Sequence, residues 1–135
     1  KGGRFIDRVN EIDLYFKNQH KNLHLKQTRI LIINCVEELL QRINEDEKIR
    51  PYLKHYPFTY ENLEISLIFY DGEKEQVEEK YVAHVFTKND QVIYNYYDHK
   101  NDKSKSLYKE PYSEALEKVK ESGQLQLSKS NSAIE

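Results

Sequence analysis

The sequence predicts an α+β domain: an antiparallel sheet of about four strands, packed on one face by a long helix and a shorter C-terminal helix. Three observations carry this expectation. A wide apolar stripe runs along Thr28–Asn44, apolar alternation marks Asn62–Tyr70, and two further extended runs, Tyr81–Thr87 and Gln91–Asp98, flank a turn sequence. The chain has 135 residues, of which 38% are apolar and 33% carry charge of mixed sign. That length supports a real core, and that balance describes a folded domain under a solvated surface. We expect one domain over residues 4–123, with flexible ends at 1–3 and 124–135.

In chain order, Asn10–Lys17 reads as a strand, because Ile12, Leu14 and Phe16 alternate with Asp13, Tyr15 and Lys17. Phe5, Val9, Ile12 and Phe16 also fit helical spacing, and the uninterrupted alternation decides for the strand. Asn18–Lys26 is a polar connection. In the helix, Ile32, Cys35, Val36, Leu39, Leu40 and Ile43 share one side with Ile33 at its margin, while Asn34, Glu37, Glu38, Gln41 and Asn44 lie opposite. Ile30 and Leu31 fall outside this stripe, so the first turn is expected to be covered from a second direction. Pro51 ends the helix. In the linker Arg50–Phe58, the residues Tyr52, Leu53, Tyr56 and Phe58 are expected to clamp the helix end against the sheet.

In Asn62–Tyr70, Leu63, Ile65, Leu67 and Phe69 form one face and Glu64, Ser66, Ile68 and Tyr70 the other. Glu73–Glu79 is a charged loop. Asn89-Asp90 suits the positive φ angles of a type I′ turn, so the next two strands form a tight hairpin. Asp98–Lys105 reads as an exposed turn, and a short strand at Ser106–Lys109 closes the meander. Pro111 opens a helix in which Tyr112, Ala115, Leu116 and Val119 recur at helical spacing, and Gly123 is its stop. Gln124–Glu135 is polar and is expected to fray.

Several function classes lack support. The net charge of −2 gives no electrostatic reason to expect nucleic acid. No apolar run reaches the roughly 18 residues of a membrane span. The single cysteine, Cys35, excludes an intrachain disulfide and lies on the apolar stripe, where a buried hydrophobe is expected. No cofactor and no metal is expected. His20 and His24 have zinc-compatible spacing but lack a neighbouring glutamate and fall in a polar connection. Glu73–Lys80 lacks the spacing of a calcium loop, and no glycine loop or nucleophile elbow is present. The chain starts at Lys1 and contains no methionine. A soluble protein is expected, its compartment is left open, and the mature part of an exported bacterial protein is one compatible origin.

Tyrosine, with 11 copies, is the most suggestive feature. On the hairpin, Val82, His84 and Phe86 share a face, as do Val92, Tyr94 and Tyr96 on the neighbouring strand. The sheet face away from the helices is therefore expected to carry aromatic and polar groups. Three readings are open for it: cover by other segments, a protein-binding or homodimer surface, or base stacking as in RNA-recognition sheets. The last lacks the required Lys/Arg-Gly-aromatic-Gly pattern. The binding candidates are Tyr52, His55 and Tyr56 on the linker and His84, Tyr94 and Tyr96 on the hairpin. The expected role is a non-enzymatic protein-interaction module. The alternative is a small ligand-binding or hydrolase-like enzyme using His55 or His84 as general base.

The run LLQRINEDEKIRPYLKHYPFTYENLEISLIFYD, from Leu39 to Asp71, resembles a segment of small uncharacterised bacterial proteins, some of them exported. The likeness extends to EPYSEA at Glu110–Ala115. It implies no activity and no residue role.

Overall fold

The computed structural model describes the backbone of residues 12–18 and residues 23–54, 56–69 and 81–127. Among these, five strands form one sheet in chain order: β1 (Ile12–Asn18), β2 (Leu63–Phe69), β3 (His84–Lys88), β4 (Gln91–Asp98) and β5 (Lys103–Pro111). β2 to β5 are the antiparallel four-stranded sheet that the sequence predicts, with α1 (Leu25–Glu45) and α2 (Tyr112–Glu121) packed against it. β1 adds to the far edge and pairs with β2 in parallel. The order β1–α1–β2 explains this departure, since a helix between adjacent strands brings the chain back in its original direction.

β2 is central to the core because its alternation is complete: Leu63, Ile65, Leu67 and Phe69 are buried and the residues between them half-buried. Where the β2–β3 ladder stops, Thr87 substitutes for it. Its hydroxyl accepts from the Ile65 amide at 3.0 Å and donates to the Leu63 carbonyl at 3.4 Å. β3 begins at His84, later than expected, because Val82 and Ala83 are both buried and the Val82 amide leaves the sheet to bond the Leu23 carbonyl at 2.9 Å. The Asn89-Asp90 turn has positive φ at both residues, 51° and 68°, as a type I′ turn requires.

β5 is the largest departure on the C-terminal side. It spans Lys103–Pro111 instead of a short strand at Ser106–Lys109, so the supposed turn residues Lys103–Lys105 are extended. The turn proper is organised by Asp98, whose carboxylate accepts from the Lys100 and Asn101 amides and from Lys105 at 2.8 Å. A bulge between the Tyr94 and Asn95 pairings leaves Leu107 as the extra residue on β5.

In α1 the fully buried residues are Thr28, Ile32, Ile33 and Val36, while Cys35, Leu39, Leu40 and Ile43 are only half-buried. The stripe is therefore most deeply covered in the N-terminal half. Ile30 and Leu31 are half-buried, as expected from their position outside it, and Ile30 lines the α1–α2 groove beside Val119. Two asparagines of the polar side hold neighbouring chain in the manner of a peptide group. Asn44 donates to the Phe58 carbonyl at 2.9 Å and accepts from its amide at 2.7 Å. Asn34 donates to the Gln124 carbonyl at 3.0 Å and accepts from the Gln126 amide at 2.6 Å. Residues 124–126 thus dock on α1 instead of fraying, and Leu125 packs against the core.

α2 buries Tyr112, Ala115 and Val119. It ends in a Schellman arrangement: Gly123, at φ +76°, bonds the Lys120 carbonyl at 3.0 Å, and Gln124 bonds Val119 at 3.1 Å.

Urea unfolding of α1 variants tests this placement. Ile32→Ala should cost about 2–5 kcal/mol and half-buried Leu39→Ala about half as much. Asn44→Ala should cost about 1–3 kcal/mol, because it leaves the Phe58 peptide unpaired. A Leu39 variant costlier than the Ile32 variant would rotate the helix relative to this packing.

Candidate functional site

The strand alternation divides the central sheet cleanly. Val85, Thr87, Val92 and Tyr94 are buried beneath the helices, and His84, Phe86 and Ile93 lie on the opposite, outer face. Register brings the outer residues of three strands together: Ile68 pairs with His84, Ser66 with Phe86, and Phe86 with Ile93. All are half-buried. The His84 ring stacks on Phe86 with centroids 4.6 Å apart. Its Nε2 is shut off from solvent and has no hydrogen-bond partner among the described residues. Burial pushes the imidazole pKa down from its ordinary value, so the ring is neutral at physiological pH. Around this apolar centre the same alternation places Glu64, Lys88, Gln91, Asn95 and Lys109, a rim of both charge signs.

The six candidate residues do not form one site. Tyr94 and His84 lie on opposite faces, because Val85, the neighbour of His84, is the residue that pairs with Tyr94. Tyr94 is 0% exposed and is corrected from a surface aromatic to a core one. Tyr96 lies past the bulge, half-buried and paired with Lys105. Tyr52 and Tyr56 are each 50% exposed on the linker, away from this face, with Arg50 4.5 Å above the Tyr56 ring. Leu53 and Phe58, not the tyrosines, are the buried clamp. His55 and His20 lie outside the described residues, as do Asn10 and Glu11 of the expected first strand, Tyr70, the expected loop at Glu73–Lys80 and residues 128–135. His24 caps α1 and tilts against Tyr81 at 5.1 Å.

The group that sequence reasoning missed is on the helix side. Glu110, 2% exposed at the end of β5, accepts from Tyr94 Oη at 2.5 Å, Arg29 Nε at 2.8 Å, Arg29 Nη2 at 3.3 Å and Lys118 Nζ at 2.8 Å. Burial alone would raise its pKa, but the hydrogen bonds from Arg29, Lys118 and Tyr94 together hold the carboxyl below its ordinary range. Tyr94 is pushed upward by burial and by the adjacent carboxylate, so it stays a donor. Nothing in the spacing of Arg29, Tyr94, Glu110 and Lys118 announces this cluster, because their meeting depends on strand register and helix docking. A second aromatic pair, Tyr60 stacked on Tyr112 at 4.4 Å, walls a hollow of about 330 Å³ beside the Asn89-Asp90 turn. Tyr112 Oη donates to Glu37 at 2.8 Å.

Two titrations should separate these sites. Since folding lowers the His84 pKa, its contribution is complete above about pH 6.5 and declines as pH falls through the folded value. The Glu110 contribution, also from a lowered pKa, is complete above about pH 4.5 and is lost at still lower pH. Urea midpoints measured against pH should therefore fall in two stages, and His84→Gln should remove the upper one. Glu110→Gln should cost roughly 3–5 kcal/mol near neutrality by leaving Arg29 unpaired. A wild-type profile without the upper stage would contradict the burial of His84.

No protein-family model matches the chain, and comparisons with curated proteins and with solved structures return no match.

Proposed function

We propose that the chain is a non-enzymatic interaction module that binds another protein through the outer face of its sheet. One observation carries this reading: Phe86 and Ile93 pair directly across β3 and β4 on the outer face, and Ile68 of β2 sits diagonal to Phe86, in the next row beside His84. Protein interfaces pair an apolar, aromatic-rich centre with a polar rim that excludes water. The rim residues Glu64, Lys88, Gln91 and Lys109 supply that border, and their mixed signs favour a protein partner over a polyanion.

The hydrolase-like alternative rests on the same histidine. A general base needs an orienting carboxylate and a substrate cleft. Among the described residues no carboxylate bonds to His84, and its ring is packed on Phe86. The recognition reading therefore has the stronger support.

Panning a peptide display library on the immobilised chain tests the proposal. Enriched binders should lose at least about tenfold in affinity, the ~1.4 kcal/mol of a modest hot spot, on Phe86→Glu. They should keep their affinity on Tyr52→Glu, since that exposed side chain belongs to another surface. Binders indifferent to Phe86→Glu would overturn the reading. Light scattering across concentrations identifies the case in which the partner is a second copy.

A further inference from the structure

The cleft between the two helices, remote from the outer sheet face, has a chemistry that the interaction reading does not use. It is an open hollow of about 360 Å³ whose lining includes Lys26, Arg29 and Lys118 together with the apolar side chains of Ile30 and Val119. Its volume lies in the range of small-molecule sites, roughly 300–1,000 Å³. We propose that this hollow binds a small phosphate monoester, with the three cationic groups on the phosphate and the Ile30–Val119 wall against its organic body.

The argument rests on how the cations are held. Glu110, buried behind them, engages Arg29 through Nε and Nη2 and Lys118 through a single bond. Beyond these bonds Arg29 is close to Tyr94 and the Lys118 ammonium lies 5.8 Å from the Tyr108 ring centroid, and each cation has more N–H donors than Glu110 engages. The carboxylate thus fixes two flexible cations at the hollow while leaving donors for a ligand, the arrangement by which a supporting residue pre-organises a site. Lys26, exposed in the first turn of α1, adds a third cation, with no side-chain bond among the described residues. That first turn contains no acidic residue, so the positive end of the helix dipole is uncompensated there. Glu121 at the lining and Glu110 behind it oppose these charges, and the three cations outnumber them. A phosphate accepts several charge-assisted bonds at once, and an arginine supported on one edge presents its other edge in the planar geometry such an oxyanion takes.

The test is an NMR titration of the full chain in low-salt buffer with inorganic phosphate, phenyl phosphate, acetate, and sodium chloride at matched ionic strength. The expected result is saturable shifts at Lys26, Arg29 and Lys118 with both phosphates and not with chloride. Phenyl phosphate should bind more tightly than inorganic phosphate. Lys26→Gln, at an exposed side chain, should weaken phosphate binding roughly threefold, the scale of one exposed charge pair. Lys118→Gln should weaken it at least as much, with circular dichroism checking its fold. Shifts that track ionic strength, saturable shifts unaffected by either variant, or acetate binding as well as phosphate would each overturn the proposal. Phenyl phosphate binding no better than phosphate would overturn the assignment of a monoester.

Discussion

One buried carboxylate joins the parts of this fold that chain order separates. Glu110 closes β5, and its two oxygens engage α1 through Arg29, α2 through Lys118 and β4 through Tyr94. Burying such a charge is expensive, and the same volume filled with apolar side chains would be as stable or more so. What the arrangement supplies is selectivity of packing. Two helices lying on a sheet by apolar contact alone can slide or rotate at low cost, because the hydrophobic effect has no direction. A bidentate arginine and an ammonium on one carboxylate have defined positions, and missing them leaves a charge stranded in the core. The groove between the helices is shaped by this constraint, since the carboxylate holds two of its cations, Arg29 and Lys118.

The same logic separates what was legible in the sequence from what was not. β2 and the β3–β4 hairpin were readable because their alternation and turn chemistry are local: Leu63, Ile65, Leu67 and Phe69 bury every second residue, and Asn89-Asp90 tolerates positive φ. β5 was read too short, as Ser106–Lys109 with Lys103–Lys105 left in the turn, because it is an edge strand and its one buried residue is a glutamate. A strand of that kind has no apolar alternation to find. The parallel pairing of β1 was implied by a helix lying between two strands, yet it is a statement about connection and escapes any reading of one segment at a time.

α1 shows a subtler limit. Its apolar stripe was identified correctly in kind, but burial is deepest at Ile32, Ile33 and Val36 and fades toward Ile43. Meanwhile Asn34, Glu37 and Asn44, assigned to solvent by the helical wheel, make tertiary hydrogen bonds to the C-terminal segment, Tyr112 and Phe58. An asparagine side chain offers the same donor and acceptor as a peptide unit. On a helix it can therefore stand in for a neighbouring strand and satisfy chain that would otherwise have no ladder. Polarity alone does not distinguish that use from solvation. The candidate site was misjudged for a related reason: placing Tyr94 with His84 requires knowing which residues face one another across strands, and register shows that they are back to back.

Besides its outer face the sheet has edges at β1 and β5, and the details of β5 argue for the face over that edge. Adding a strand to an edge needs a straight run of amides and carbonyls in regular alternation. β5 interrupts that run with the bulge at Leu107 and lacks an amide at Pro111, and it carries Lys103, Lys105 and Lys109 along its length. These are the features by which natural sheets discourage edge pairing. Leu107 and Tyr108 are exposed there, but on a bulged strand, and the Lys118 ammonium lies 5.8 Å from the Tyr108 ring centroid. The outer face has no such deterrent at its centre. The proposed recognition therefore uses side chains on that face and not backbone pairing at the β5 edge.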